Sequence, residues 1–265
     1  MQDQPLFGNV LRDIQLGVKA LREAYPFVRR HRLWIGVLSY GWMSKFLLVV
    51  AFIIGLNFLA VLVNWFGSLH PEGPLSYGAS LLDLYSGMFK KGYHLFSLGG
   101  MKYLILILGE VLIFHAARRT MEVLKGTKEA APSLKDFMKA QMRMIEISLA
   151  AWAFELGVTI LISIALGFMH ADWLKSPLNW AVQCFFLGAV MIDGYFEHYK
   201  LKYKASFTLS RQIAGLALVL GVTTYLLLSI PLIGAVVAPF FASIATTLAL
   251  FEMEIKGWIP LKMKI

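Results

Sequence analysis

Four ionisable side chains interrupt the apolar stretches of this 265-residue chain: Lys45, Lys102, Glu110 and Glu155. Ionisable groups at membrane depth are costly to bury and are often functional. A lysine can extend its ammonium group to the membrane surface, and we expect Lys45 and Lys102 to do so. A carboxylate is too short to reach far, so Glu110 and Glu155 are the better candidates. Either can pair with Lys45 in a structural ion pair, or bind a proton that is coupled to transport.

Other site chemistries have no matching pattern in the sequence. The six histidines are scattered and form no close pair that would suit a metal ion. The chain also contains no phosphate-binding loop, no dinucleotide-binding glycine motif and no nucleophile elbow. We therefore expect neither an enzyme nor a bound metal or cofactor.

Composition indicates a membrane protein. Hydrophobic residues make up 58% of the chain, charged residues make up 15%, and the mean hydropathy is +0.66. Several apolar runs reach about 20 residues, which is the length of helix that crosses a bilayer core. These runs are continuous rather than alternating, so they predict helices and argue against an outer-membrane barrel. The single cysteine, Cys184, excludes an internal disulfide.

The predicted fold is all-α, a polytopic integral membrane protein with about four to six hydrophobic helices in a single domain over residues 33–265. Residues 1–32 form a separate amphipathic segment with a basic cluster at its end. Its apolar residues recur at helical spacing over residues 5–28, so this helix either lies flat on the membrane or packs on the protein's own bundle. The hydrophobic segments are predicted at about 33–66, 95–117, 147–169, 178–192, 213–230 and 235–251.

Two shorter signals complete this outline. The stretch "APSLKDF" predicts a helix start with Ser133 as its N-cap. Asp193 ends the fourth apolar segment beside a basic loop, where we expect it to bond a nearby lysine or arginine. No cleavable signal peptide is predicted in the first 32 residues.

Basic residues are distributed unequally between the two sides of the predicted membrane. With the N-terminus inside, the inside segments hold 20 Lys and Arg residues and the outside connections hold 3. This bias predicts that both termini are cytoplasmic. It also accounts for the net charge of +9 through topology and anionic lipid, so no nucleic-acid partner is expected.

The most unusual stretch is the uncharged run of 39 residues from Ile213 to Phe251. The residues in it that signal a turn or a helix break are Pro231, Gly234 and Pro239. Its two halves are short for membrane spans, and their turn, "PLIG", has no polar side chain. Short hydrophobic segments broken by glycine and proline mark substrate sites in transporters, because non-helical backbone at depth needs protein or a water-filled cavity around it. The alternative is an ordinary helical hairpin whose turn lies at the far headgroup boundary.

This hairpin carries a family resemblance. Pro231 and Pro239 are eight residues apart, Gly234 lies between them, and "IAT" at 244–246 follows, with "MIDGYFEHYKLKYKASF" upstream. The pattern resembles the carboxy-terminal signature of the etoposide-induced protein 2.4 family, whose bacterial members include the CysZ sulfate permease. The chain departs from the family pattern at Ile244, where the family has glycine, and at Glu110, where an apolar or aromatic residue is expected.

The resemblance implies a transporter or channel for sulfate or another small oxyanion in a bacterial inner membrane. It implies an anion site at the start of the first span, where the candidates are Arg30, His31 and Arg32. Guanidinium groups suit tetrahedral oxyanions, and a helix N-terminus would add N–H donors. The same three residues can instead anchor the chain beside lipid phosphate.

The transport path would involve residues of the hairpin and the two membrane carboxylates: Glu110, Glu155, Pro231, Gly234, Pro239 and Thr246. We expect contact with membrane lipid and assembly into a homo-oligomer or with another membrane protein. The alternative function is a non-transporting membrane subunit or scaffold that docks partner proteins or lipids.

Overall fold

The computed structural model describes residues 6–37, 100–127, 134–230 and 233–259, together with the single positions Lys45 and Val49. Every regular element in these ranges is helical. Most of the predicted first span, and Pro231 in the hairpin turn, lie outside the described residues. The helices are α1 (Leu6–His31), α2 (Gly100–Leu108), α3 (Glu110–Lys125), α4 (Leu134–Phe168), α5 (Lys175–Glu197), α6 (Tyr203–Gln212), α7 (Ala214–Leu228) and α8 (Gly234–Ile255).

Two of the described helices are long and apolar enough to cross a membrane, namely Lys135–Phe168 in α4 and Gly234–Ile255, which is α8. A third span results if α6 and α7, which meet at an angle of 98°, are counted as one broken span. The structure therefore supports a helical membrane protein with two to three candidate spans. The larger number predicted from the sequence goes beyond what these residues show.

Helix α4 joins two segments that the sequence separates into a charged loop and a third span. Its 35 residues make about 52 Å of helix, well beyond a hydrocarbon core of about 30 Å. Its second half exposes large apolar side chains, with Phe154 59%, Leu161 67% and Phe168 82% exposed. This surface suits lipid rather than water, and a helix of this length that crosses a bilayer core would leave its charged first half outside that core. The helix begins at Leu134, directly after the predicted N-cap Ser133, which itself lies outside the described residues.

Helices α5 and α7 pack so closely that only glycine fits at their crossing. A β-carbon placed on Gly188 would lie 1.8 Å from the carbonyl oxygen of Ala217, and one on Gly221 would lie 1.6 Å from that of Cys184. Small residues allow such close backbone approach between membrane helices, where packing rather than the hydrophobic effect drives association. This crossing is the centre of the bundle, and α4 packs on the other side of α5.

The C-terminal hairpin has arms of unequal length. Helix α7 has 15 residues and spans about 22 Å, whereas α8 has 22 residues and spans about 33 Å. The predicted apolar halves, 213–230 and 235–251, thus correspond to helices. Pro239 neither begins nor interrupts the second arm, because α8 starts at Gly234 and continues through the proline.

The predicted second span is broken at Gly109. Helix α2 ends one residue before it and α3 begins one residue after it. Helical hydrogen bonds still cross the interruption, from the Gly109 N–H to the Ile105 carbonyl oxygen at 2.7 Å and from the Ile113 N–H to that of Gly109 at 3.1 Å. Pro239 of α8 fills the space beside the break, 3.0 Å from where a β-carbon on Gly109 would lie. Gln141 of α4 donates to the carbonyl oxygen of Ile107 at 2.8 Å, which satisfies a backbone group near the break.

Helix α1 packs on the bundle, which was one of the two predicted arrangements. Its stripe of Leu16, Ala20 and Ala24 is buried in the core cluster that includes residues of α7 and α8. An ion pair of Lys19 with Glu252 of α8, 2.9 Å long, lies along the same contact. The start of the next segment also docks inward, since Leu33 is buried and its carbonyl oxygen lies 2.8 Å from Nε2 of His115 in α3.

Candidate functional site

A cavity of about 1010 Å³ opens between α3, the first half of α4 and the connection from α5 to α6. Fourteen of its 19 lining residues come from two charged segments, 118–145 and 193–212, which the charge pattern predicts to be cytoplasmic. Six Lys or Arg residues and four Asp or Glu residues line it, so basic groups are in excess. The basic residues are Arg118, Lys135, Lys139, Arg143, Lys200 and Lys202, and His198 lies beside them.

Arg143 joins the walls of this cavity. Its guanidinium group forms a two-pronged ion pair with Asp193 of α5, with Nε–Oδ2 at 2.8 Å and Nη2–Oδ1 at 2.7 Å. Its third nitrogen, Nη1, donates to the carbonyl oxygen of Leu201 in the connection to α6. One arginine thus ties α4 to α5 and to the following connection. Asp193 bonds an arginine, as predicted, but that arginine comes from α4, 50 residues away in the sequence, and not from the adjacent basic loop.

Glu110 lies at the inner end of the cavity, in the first turn of α3. It is 1% exposed, and its Oε2 atom has no hydrogen-bond partner among the described residues. The charged groups that act on it most strongly are Glu197, Asp193 and Arg143. The structure therefore places Glu110 with the Arg143 ion pair. Lys45, the partner that the sequence suggested, is exposed.

Glu197 is the cavity carboxylate with the clearest response to pH. It lies four residues beyond Asp193, outside the apolar stretch of α5. Burial raises the pKa of the Glu197 carboxyl from its ordinary value of 4.5 to about 7. Arg143 opposes this rise in pKa, and Asp193 adds to it. The charge of the cavity wall therefore changes near neutral pH.

A second polar cluster lies deeper in the bundle, around Glu155 of α4. Lys102 of α2 donates from Nζ to Glu155 Oε1 at 2.7 Å, and the Tyr103 hydroxyl donates to Oε2 at 2.6 Å. Gln183 of α5 accepts from Lys102 at 3.3 Å. The prediction that Lys102 extends to the membrane surface is wrong, because its side chain is fully buried and an ion pair holds it inside. Glu155 accordingly pairs with Lys102 and not with Lys45.

The three basic residues predicted to bind an anion lie at the end of α1, directly before the predicted first span. Arg30 and His31 lie in the last turn of α1, where free carbonyl groups rather than N–H donors face outward. Arg32 follows in a left-handed turn and is exposed, as is Arg30. None of the three lines the basic cavity. Most of the predicted first span, whose helix N-terminus the resemblance expects to complete their anion site, lies outside the described residues.

The described hairpin residues pack against the protein's own helices. Gly234 starts α8 so close to α7 that a β-carbon on it would lie 2.3 Å from the carbonyl oxygen of Leu227. Pro239 is buried against Gly109, as described above. The hydroxyl of Thr246 is buried and donates to the carbonyl oxygen of Ala242 in its own helix. These residues shape the close packing of α8, and none of them lines the cavity.

Sequence reasoning overlooked the residues that make the cavity basic. Lys135, Lys139, Lys200 and Lys202 were counted only as topology signals, because their two segments are separated by about 60 residues. The sequence did contain a signal that Arg143 belongs to a site, since it lies three residues before a glutamate and close to the apolar part of α4. Nothing in its local sequence identifies Asp193 as its partner.

No protein-family model matches the chain, and a search of curated proteins finds no match either. The resemblance to the etoposide-induced protein 2.4 family therefore stays a prediction. Among the described residues, no group of three or more histidine, cysteine or acidic side chains is arranged to hold a metal ion.

Proposed function

We propose that this protein passes small oxyanions such as sulfate across a bacterial inner membrane, as a transporter or channel of the CysZ type. The observation that carries the proposal is the basic cavity at the end of the bundle that the charge pattern places in the cytoplasm. Basic groups lining a concave, low-dielectric wall concentrate anions and speed their entry. The cavity would serve as the cytoplasmic vestibule of the path.

The position of the cavity suits passage better than simple anchoring. Its mouth is lined by exposed lysines, and its inner end reaches the buried carboxylate of Glu110. An anchor for lipid phosphate needs only surface charges, such as those of Arg30 and Arg32.

Removing two cavity lysines is expected to slow sulfate entry about tenfold at low salt, because the focusing of anions weakens. The variant is Lys139→Gln with Lys202→Gln, measured by uptake of labelled sulfate into liposomes. The matched control is Lys204→Gln with Arg211→Gln, which removes the same charge from nearby α6 outside the cavity. We expect the control to stay within about twofold of the original protein.

The outcomes separate the possible roles of the charge. An equal loss in both double variants would assign the effect to net charge and not to the cavity. Absence of flux for sulfate, phosphate and other small oxyanions in the original protein would refute transport. In that case, stable co-purification of another membrane protein would favour the scaffold function.

Sulfate uptake is expected to rise as the pH falls from about 8 to about 6. The pKa of Glu197 is about 7, so the carboxyl is mostly ionised at the upper pH and mostly neutral at the lower one. Protonation removes a negative charge from the vestibule and strengthens its attraction for anions. Glu197→Gln should hold uptake at its low-pH level across this range. Measurements need equal pH on both sides of the membrane.

His198 directly follows Glu197 and lines the same cavity, so its contribution is tested separately. His198→Gln separates the two groups. The assignment to Glu197 fails if Glu197→Gln keeps the pH response of the original protein and His198→Gln loses it.

A further inference from the structure

The carboxylate of Glu155 sits in a set of donors that would suit a small oxyanion equally well. Each of its oxygens receives one strong hydrogen bond, from the ammonium group of Lys102 and from the hydroxyl of Tyr103. A carboxylate and an inorganic oxyanion present the same kind of negatively charged oxygen acceptor. Lys102, Tyr103 and Glu155 are each no more than 3% exposed, so water does not compete for these donors.

A buried donor on the same helix as Glu155 has no acceptor among the described residues. The indole Nε1–H of Trp152 is buried and has no hydrogen-bond partner among the described residues. Trp152 lies three residues before Glu155 in α4, which places the two side chains on the same helix face. It also adjoins the start of α2, because a β-carbon on Gly100 would lie 4.0 Å from Trp152 Nε1. A buried donor without an acceptor is unusual in a folded protein and calls for an explanation.

The depth of this cluster fits a site on a path through the membrane. Glu155 is 12 residues beyond Arg143 and 13 residues before Phe168, which corresponds to about 18 Å and about 20 Å of helix. The cluster therefore lies near the middle of the apolar half of the bundle, about one membrane leaflet away from the basic cavity. Charged groups at this depth are costly unless they have a function or are fully paired.

We propose that Lys102, Tyr103 and Trp152 form a second oxyanion site at mid-membrane depth, in which the Glu155 carboxylate takes the place of the anion at rest. A permeating oxyanion competes with this tethered carboxylate for the same donors. The inference rests on the proposed function, since it names the point along the transport path where the anion loses its hydration shell. Lys102 supplies the cation of this site, and among the described residues Glu155 and Cys184 are the titratable side chains that act on it.

The test replaces the tethered carboxylate by a neutral isostere, Glu155→Gln, in the purified full-length protein. In chloride, this variant should unfold at a lower temperature than the original protein, because Lys102 is left buried without a counter-ion. Sulfate at equal ionic strength should raise its unfolding temperature by filling the donor set. The sulfate concentration for half of this rise should be at least about tenfold lower than in the original protein.

The double variant Lys102→Met with Glu155→Gln serves as the control, because it removes the cation as well as the carboxylate. It should show no stabilisation by sulfate beyond that of the original protein. The proposal is overturned if Glu155→Gln responds to sulfate no more strongly than this control does. If Glu155→Gln folds too poorly in chloride, recovery during purification in sulfate supports the site. Failure in both salts, with the double variant folded, overturns it.

These binding measurements stand apart from the flux measurement. Sulfate flux in the original protein without a sulfate response in Glu155→Gln would refute the mid-membrane site and leave the proposed function intact. A sulfate response in Glu155→Gln without flux in the original protein would support the site and refute transport.

Discussion

Gly221→Ala is expected to destabilise the protein by about 3 kcal/mol or more, although it adds a single methyl group. The new β-carbon would lie 1.6 Å from the carbonyl oxygen of Cys184, and no side-chain rotation can relieve a contact between two backbones. Helices α5 and α7 must separate, and the packing at the centre of the bundle is lost with them. Thermal unfolding in detergent, followed by the loss of the monodisperse chromatographic peak, measures the effect.

Gly157→Ala provides the matched control. Gly157 lies in α4, and apart from its own stretch of helix no described atom lies within 4 Å of the position its β-carbon would take. Alanine has a higher helix propensity than glycine, so this variant should be as stable as the original protein or slightly more stable. Equal stability of the Gly221→Ala and Gly157→Ala proteins would show that the helices cross at a greater distance than described.

Lys102→Met is expected to destabilise the protein by about 3–5 kcal/mol, because it leaves the Glu155 carboxylate buried without a cation. The remaining donor to that carboxylate is the Tyr103 hydroxyl. Adding Glu155→Leu removes the orphaned charge and should recover most of the lost stability. Unfolding temperatures of the two single variants and the double variant yield the coupling free energy.

A purely additive result would contradict the ion pair. It would mean that Lys102 and Glu155 each reach water or another partner, in spite of their burial. Recovery of stability in the double variant also makes the flux experiment easier to interpret. If the double variant is stable but passes no sulfate, its loss of function is due to the missing charges rather than to unfolding.

The helices were largely predictable from the sequence, because the periodicity of apolar residues and the length of each segment indicate which parts of the chain lie in lipid. The apolar halves 213–230 and 235–251 became α7 and α8, and the start of α4 follows its predicted cap. Prediction failed where two distant segments meet. Local pattern cannot show that Lys102 of α2 faces Glu155 of α4, so the general tendency of lysine to reach the membrane surface gave the wrong expectation.

The candidate site was harder to predict for the same reason. Arg30, His31 and Arg32 stood out because they are adjacent in sequence, yet they lie apart from the cavity. The cavity lysines come from segments about 60 residues apart and become a site only when α4 and α5 are packed together. Pro239 shows the opposite case. A proline within an apolar segment is a strong local signal for a helix break, yet α8 continues through Pro239, which packs against Gly109.

The ion pair of Arg143 has a kinetic consequence for the proposed vestibule. All three guanidinium nitrogens are already engaged, by Asp193 and by the backbone of Leu201. The other cavity arginine, Arg118, is buried beside Glu122. The exposed basic side chains that an arriving anion meets are therefore lysines, whose ammonium groups act as point charges and impose little geometry on their partner. Such a vestibule should load and unload quickly and should accept sulfate, phosphate and similar ions with little preference. Discrimination among these ions then falls to narrower parts of the path, and throughput should saturate only at high anion concentration.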